Sequence, residues 1–451
     1  MTEESSQSPS GRREGPTSLV VSKTGPRLGL GLGRAGPERA RRVVERWKDA
    51  GLFLPALVAI ALLSAAIAKS TDVALYGRYA KEALAAPVFH LLPKEYPALS
   101  LVVFLIPKVL GVAYWFGFAL VCAVACLAAV LSTDGLDKYP GWSKRTSIYL
   151  LLGALPVLFT RYDIVPVLAT VLAVENARRR QWGRAWAWAT VGGLLKLFPF
   201  LLLPGFLLIE KAQTGKWALR RGMVATAPIL LVGAVQTWLA PGSTVSPLRF
   251  ELHRGLELSS LQGSLTLLTD PIHLHWIGAF GSVEVVGHGR VLMGVLVTAV
   301  GALALGALWW LAGHGRLSVE ALSLAVLSVA VLADKAFAPQ YLIWLVPLWA
   351  YWPLRQGWVA AAALTTLVYP ILYGLHAAFG YSFYFATAGG ALRNTVLIVA
   401  SARWFAGQLR ATRLTGDEGL APLTLPATMT GDRWRRPLSS LSVQPASQVR
   451  S

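Results

Sequence analysis

The segment Ser70–Pro97, STDVALYGRYAKEALAAPVFHLLPKEYP, carries Asp72 directly behind an apolar segment of membrane length and ends in Glu95-Tyr96-Pro97. A carboxylate held just outside a bilayer can accept a proton from a substrate that is itself anchored in the membrane. Further ionisable residues interrupt apolar stretches: Arg161-Tyr162-Asp163, and Lys196 between GGLL and LFPFLLL. Such residues cost about 2.5–3.5 kcal/mol each at a helix centre on insertion scales and are functional candidates by default. A later stretch, RFELHRGLELSSLQGSLTLLTDPIHLHW, adds His253, Arg254 and Glu257, and Asp334-Lys335 with Gln340-Tyr341 opens a late apolar segment.

These residues have to be positioned by membrane helices. A chain of 451 residues with 55% hydrophobic and 14% charged residues departs too far from soluble proteins for any other class. The net charge of +19 does not point to nucleic acid, because the basic residues lie in short loops and tails beside apolar segments, as the positive-inside rule requires. Cys122 and Cys126, one helical turn apart in an apolar run, suggest neither a disulfide framework nor a zinc site. Residues 1–48 and 408–451 read as disordered basic cytoplasmic tails around an integral-membrane domain, 49–407.

The first span is Gly51–Ala68, with Arg41, Arg42, Arg46 and Lys48 holding the N-terminus inside. The loop 70–96 is then external, and Ala98–Leu131 is one long or broken crossing with Pro107 as its expected kink. Ile148–Val174 and Ala185–Ile209 each have basic flanks and a charge in the middle, which predicts two short helical hairpins lifting Arg161, Asp163 and Lys196 towards the outer side. Met223–Ala240 leads to a second external loop, 241–284. There His253 and Arg254 ahead of Leu256, Leu258 and Leu261 suggest a short amphipathic helix on the membrane surface. Spans at Val285–Gly313, Ser318–Ala333, Pro339–Trp352, Trp358–His376 and Arg393–Ala406 complete twelve segments, hairpin arms counted separately, with both ends inside. The expected fold class is an all-α polytopic membrane protein of about twelve transmembrane segments with two large extracytoplasmic loops.

Each candidate also has an ordinary explanation. Asp72 could cap a helix or pair with Arg78, and Glu95 beside Lys94 could be merely solvated. Arg161 and Asp163 could bind each other, and Lys196 could belong to a buried pair. Asp270 with His273-x-His275 could be read as a metal cluster, but without clear further ligands the histidines read as surface residues; no metal or other cofactor is indicated. Gly29–Arg34, GLGLGR, has no strand or helix around it to make it a phosphate loop.

The order of motifs, an acid in TDVALYGRYA behind the first helix, EYP, RYD, Lys196-Leu197-Phe198-Pro199, HRGLELSS and DKAFAPQYLIW, resembles the bacterial GT-C glycosyltransferases over about Gly51 to Ala406. Family eighty-seven, which includes the polyprenyl-phosphomannose-dependent α-1,2-mannosyltransferases of phosphatidylinositol mannoside assembly, is the nearest in pattern. The resemblance implies a GT-C-like bundle, a polyprenyl-phosphosugar donor, an inverting mechanism and an acidic base in the first external loop. Asp72 is the matching position. Inverting transfer from such a donor needs one carboxylate to deprotonate the acceptor and cations to stabilise the departing phosphate, whereas glycoside hydrolysis needs an acid as well as a base. The expected substrate-binding residues are Glu95, Tyr96, Arg161, Asp163, Lys196, His253, Arg254, Glu257, Lys335 and Gln340, with Lys196 and Arg254 on the donor phosphate. The expected partners are the donor, a glycolipid or lipid-linked glycan acceptor and membrane lipids, at the outer side of a bacterial cytoplasmic membrane, with mannose as the expected sugar. A transporter or lipid flippase, or an inactive envelope-assembly scaffold, is the alternative.

Overall fold

The computed structural model describes residues 72–85, 93, 95–132, 139, 141–154, 157–240 and 245–415. The expected first span, Gly51–Ala68, and the tail 1–48 lie outside the described residues, as does 416–451. Within the stretch 70–96, expected as an external loop, the chain forms a helix, α1 (Asp72–Ala85). Its buried Val73, Tyr76, Ala80 and Ala83 recur at helical spacing, which gives one apolar stripe. Asp72 sits in its first turn, where the helix dipole favours a carboxylate.

The crossing expected over Ala98–Leu131 is broken into α2 (Ser100–Val109) and α3 (Tyr114–Leu131). The break falls after Pro107, at Gly111, whose φ of +68° suits glycine. Each expected hairpin appears as two helices joined by a turn, although the arms of the first pack mainly on other helices and not on each other. In the first, α4 (Trp142–Gly153) and α5 (Ile164–Arg178) flank a turn that carries Arg161 and Asp163. In the second, α6 (Trp182–Leu195) ends at Lys196, whose backbone is extended, and a 3-10 turn over Phe198–Leu201 leads into α7 (Leu202–Thr214). A Cβ at Gly193 would meet the Phe200 ring at 2.2 Å, so this close return requires glycine there.

Beyond α8 (Leu219–Leu239), the loop 241–284 differs from the all-α expectation. It folds as α9 (Ser246–His253), β1 (Leu256–Glu257), α10 (Leu261–Thr269) and a hairpin of β2 (His275–Ala279) with β3 (Ser282–Val286). The antiparallel sheet has the order β1-β3-β2. Phe280 and Gly281 both have positive φ, as a two-residue hairpin turn demands. The surface helix expected around 253–261 is therefore replaced: α9 stops at His253, Gly255 follows, and Ser260 accepts a hydrogen bond from the Gly263 amide (2.9 Å) to cap α10.

The remaining elements are α11 (Arg290–Gly313), α12 (Val319–Ala333), a 3-10 turn at Pro339–Tyr341, α13 (Leu342–Trp349), α14 (Gln356–Thr366), a π-helical turn over Leu367–Leu372, α15 (Tyr373–Phe379) and α16 (Phe383–Thr415). The last helix runs past residue 407, where the second tail was expected to begin.

The structure does not support twelve spans. Four helices among the described residues are long and apolar enough to cross a membrane: Tyr114–Leu131, Arg290–Gly313, Gln356–Phe379 and Phe383–Thr412. Other expected segments are divided by turns, as at Arg161 and Lys196, or begin in a 3-10 turn, as at Pro339. Large apolar side chains such as Val291, Leu296 and Leu303 on α11 face outward, as they would towards lipid.

Candidate functional site

A cavity of ≈ 800 Å³ opens between the start of α1, the turns that carry Arg161 and Lys196, and the sheet-bearing loop 245–286. Of the residues named from the sequence, Asp72, Glu95, Tyr96, Arg161, Asp163, Lys196, Arg254, Glu257 and Gln340 all line it. His253 and Lys335 do not. His253 is exposed, and its ring donates to the Arg249 carbonyl (2.8 Å) within α9. Lys335 donates to the carbonyls of Leu252 (3.1 Å) and Arg254 (2.5 Å), so it fixes the loop behind the cavity instead of reaching into it.

On one wall, Asp72 forms an ion pair with Arg161 from the first hairpin tip. The hydroxyls of Tyr96 (3.3 Å) and Tyr76 (3.4 Å) also approach its carboxylate. Tyr79 donates to Glu95. An aromatic cluster holds this arrangement: Tyr76 stacks on Phe104 with centroids 4.4 Å apart, and Tyr96 and Tyr162 meet it edge-on. The apolar stripe of α1 thus docks the helix, and docking aims its first residue into the cavity.

The two hairpin tips meet at Asp163. Its carboxylate, 1% exposed, binds Lys196 Nζ at 2.6 Å, and the same oxygen accepts from Trp344 Nε1 at 2.7 Å. Lys196 also lies 5.1–5.3 Å from the centroids of Tyr162, Tyr341 and Trp344, a cage that favours a cation through the ring quadrupoles. Lys196 lines the cavity, as expected of a phosphate ligand, and also forms the buried pair that was its alternative reading. Its counter-charge is Asp163, 33 residues away in sequence.

Arg254 is different. Its side chain is 10% exposed and lies 3.7 Å from Glu251, yet its Nε is buried with no hydrogen-bond partner among the described residues. A buried, unsatisfied donor on a guanidinium is costly unless a ligand completes it. The neighbouring carboxylates are held by the fold. Glu257 accepts from the Ser259 amide (2.8 Å) and hydroxyl (2.7 Å) and from Tyr373 (2.9 Å), and burial pushes its carboxyl up despite these donors. Glu284 accepts from the Gly255 amide (2.9 Å), and a Cβ at residue 255 would lie 2.2 Å from that carboxylate, so a larger residue there would displace it. Asp334, at the end of α12, is raised to about 6, mainly by burial, with Glu251 adding to the rise.

Several residues of the site were not identified from the sequence. Trp344, Tyr369 and Tyr373 line the cavity, but tyrosine and tryptophan near the ends of apolar segments read equally well as interfacial anchors. Arg393, fully buried in α16, donates to the Ser259 carbonyl (2.5 Å) while Asn394 bonds the same oxygen (3.0 Å). An arginine within an apolar helix was a readable signal; its place in the sheet-bearing loop's support was not.

The cavity therefore sets an ion-paired carboxylate under tyrosine hydroxyls on one side and an incompletely bonded guanidinium on the other, with aromatic surfaces between. Such a site can orient a hydroxyl, accept its proton and hold an anion. No protein-family model matches the chain, and no curated protein matches it.

Proposed function

We propose that the protein is a membrane glycosyltransferase that moves a hexose, with mannose as the favoured sugar, from a polyprenyl-phosphate donor to a glycolipid or lipid-linked glycan. The observation that carries this reading is the shared cavity: side chains from six separate stretches of the chain, Arg254 among them, chosen for the chemistry of inverting transfer, line one space. Asp72 accepts the proton of the acceptor hydroxyl while that oxygen bonds to the anomeric carbon from the face opposite the phosphate. The bond from that carbon to the phosphate oxygen breaks with its electron pair, and Arg254 offsets the charge gathering on the departing polyprenyl phosphate. Tyr96 and Tyr76 orient Asp72, and Glu95 and Gln340 are placed to bind sugar hydroxyls. The direct test is transfer of radiolabelled hexose from purified polyprenyl-phosphate donors into a membrane lipid extract; binding without transfer would leave a carrier or scaffold in its place.

Arg254→Ala is expected to weaken donor binding by roughly 1.5–3 kcal/mol, the range for hydrogen bonds to charged groups. Acceptor binding should change little. Equilibrium binding in nanodiscs would read both, and an unaltered donor affinity would move the phosphate site away from the second external loop.

We place the cavity on the extracytoplasmic side of the bacterial cytoplasmic membrane, because the basic flanks of both hairpins and the tails mark the opposite side. After replacement of the buried Cys122 and Cys126, a cysteine at Ile272, 85% exposed, is expected to react with an impermeant thiol reagent in intact cells. A cysteine at Gly183, where a side chain meets nothing within 4 Å, is not. The reverse labelling would invert the topology.

A further inference from the structure

We propose that Asp270, His273 and His288 form a divalent metal site of the zinc type that clips the base of the β2–β3 hairpin. Their ligand atoms all lie within 4.8 Å of one another. Asp270 Oδ1 is 2.8 Å from His273 Nδ1, and Oδ2 is 2.9 Å from His288 Nδ1. Ligands at about 2.0–2.1 Å from a tetrahedral zinc ion lie roughly 3.3 Å apart, so a small opening of each contact, with the two imidazoles turned towards each other, admits the ion. Two imidazoles and a carboxylate are a borderline donor set that suits zinc, and an exposed fourth position is left for water.

The fold builds this cluster by register. His275 pairs with Val286, and continuing that antiparallel register by two residues sets His273 opposite His288, a spacing at which cross-strand side chains meet. Asp270, at the end of α10, is anchored independently of the imidazoles by the His288 amide (2.7 Å) and the His273 amide (3.2 Å). The carboxylate is 8% exposed, whereas the two imidazoles are 66% and 83% exposed; the acid is fixed and the rings are free to turn onto an ion arriving from solvent. His275, although adjacent, is outside the cluster: its ring bonds the His273 carbonyl (3.2 Å). None of the three ligands lines the cavity, but the other end of the same hairpin, Gly278–Val283, does. The ion would hold the hairpin's base and so the position of its tip, a structural role distinct from the proposed transfer chemistry.

The test is zinc binding to the full-length protein in nanodiscs, purified through a tag without histidines and stripped with a chelator. Calorimetry with Zn2+ alone is expected to show one ion per chain, and Co2+ in its place should give the visible absorption of a four-coordinate site. His273→Ala and His288→Ala should each lower zinc affinity by about 100-fold or more, since even outer-shell partners of a metal are worth 10–100-fold. His275→Ala should bind as the parent does. Zinc should raise the melting temperature of the parent and of His275→Ala, and leave that of His288→Ala unchanged. The proposal is overturned if the parent binds no stoichiometric ion, if the His273 and His288 variants bind as tightly as the parent, or if His275→Ala loses the ion equally; the cluster is then only a pair of hydrogen bonds around a carboxylate.

Discussion

Asp72→Asn is expected to lower sugar transfer by about 10²–10⁴, the usual contribution of a general base, in a protein that still folds and still binds donor. The amide keeps the size and shape of the side chain but cannot accept the acceptor's proton. Asp72 is also the ion-pair partner of Arg161, so loss of activity alone would not separate a chemical role from a structural one. Removing the cation as well makes the separation. In Asp72→Asn with Arg161→Gln no stranded charge remains, and a purely structural pair would regain much of its lost turnover. A base would not. Transfer rate, donor affinity and melting temperature of the two single variants and the double variant form the required set, and recovery of turnover in the double variant would remove Asp72 from the chemistry.

The turns that carry charges were legible because a charge in the middle of a short apolar run with basic flanks has few alternatives in a membrane. Arg161, Asp163 and Lys196 follow that logic, and all three line the cavity. The amphipathic stripe of α1 was equally readable at Val73, Tyr76, Ala80 and Ala83; Arg78, Lys81 and Glu82 on the other face made the stretch read as a polar loop. The small sheet was harder. Leu256 and Leu258 fit a helical stripe as well as a strand, and what decides between them is a cross-strand partner, Val285, supplied from the far end of the loop. His253 and Lys335 illustrate the same limit. Their types suited a phosphate site, but the carbonyls that engage them depend on how α9 ends and how the 334–338 turn packs behind it, neither of which is written in local spacing. The count of spans failed for a physical reason too: composition registers apolar residues but not the turns, such as those at Gly111 and Lys196, that cut shorter helices from them.

Lys196→Met is expected to destabilise the protein by about 3–5 kcal/mol, because it strands the Asp163 carboxylate in a buried site. The Trp344 indole would remain as its neighbour, and one neutral donor does not replace an ammonium ion held at 2.6 Å. Asp163→Asn should be destabilising for the converse reason, although less so, since Lys196 is 16% exposed to the cavity and keeps its aromatic cage. The double variant Asp163→Asn with Lys196→Met leaves neither charge buried, and its stability should return most of the way to that of the parent, as buried pairs often do when both members are replaced. Thermal or denaturant unfolding in detergent, compared across the four proteins, measures the coupling. The same set settles what Lys196 does for the donor. With stability restored, a double variant that binds donor as tightly as the parent makes the pair a clamp between the two hairpin tips and leaves the phosphate to Arg254. A donor affinity that stays low in the double variant would mean that the ammonium serves the phosphate as well as Asp163. Additive losses in the two single variants, with no recovery in the double, would show that the 2.6 Å contact contributes nothing to holding the hairpins together.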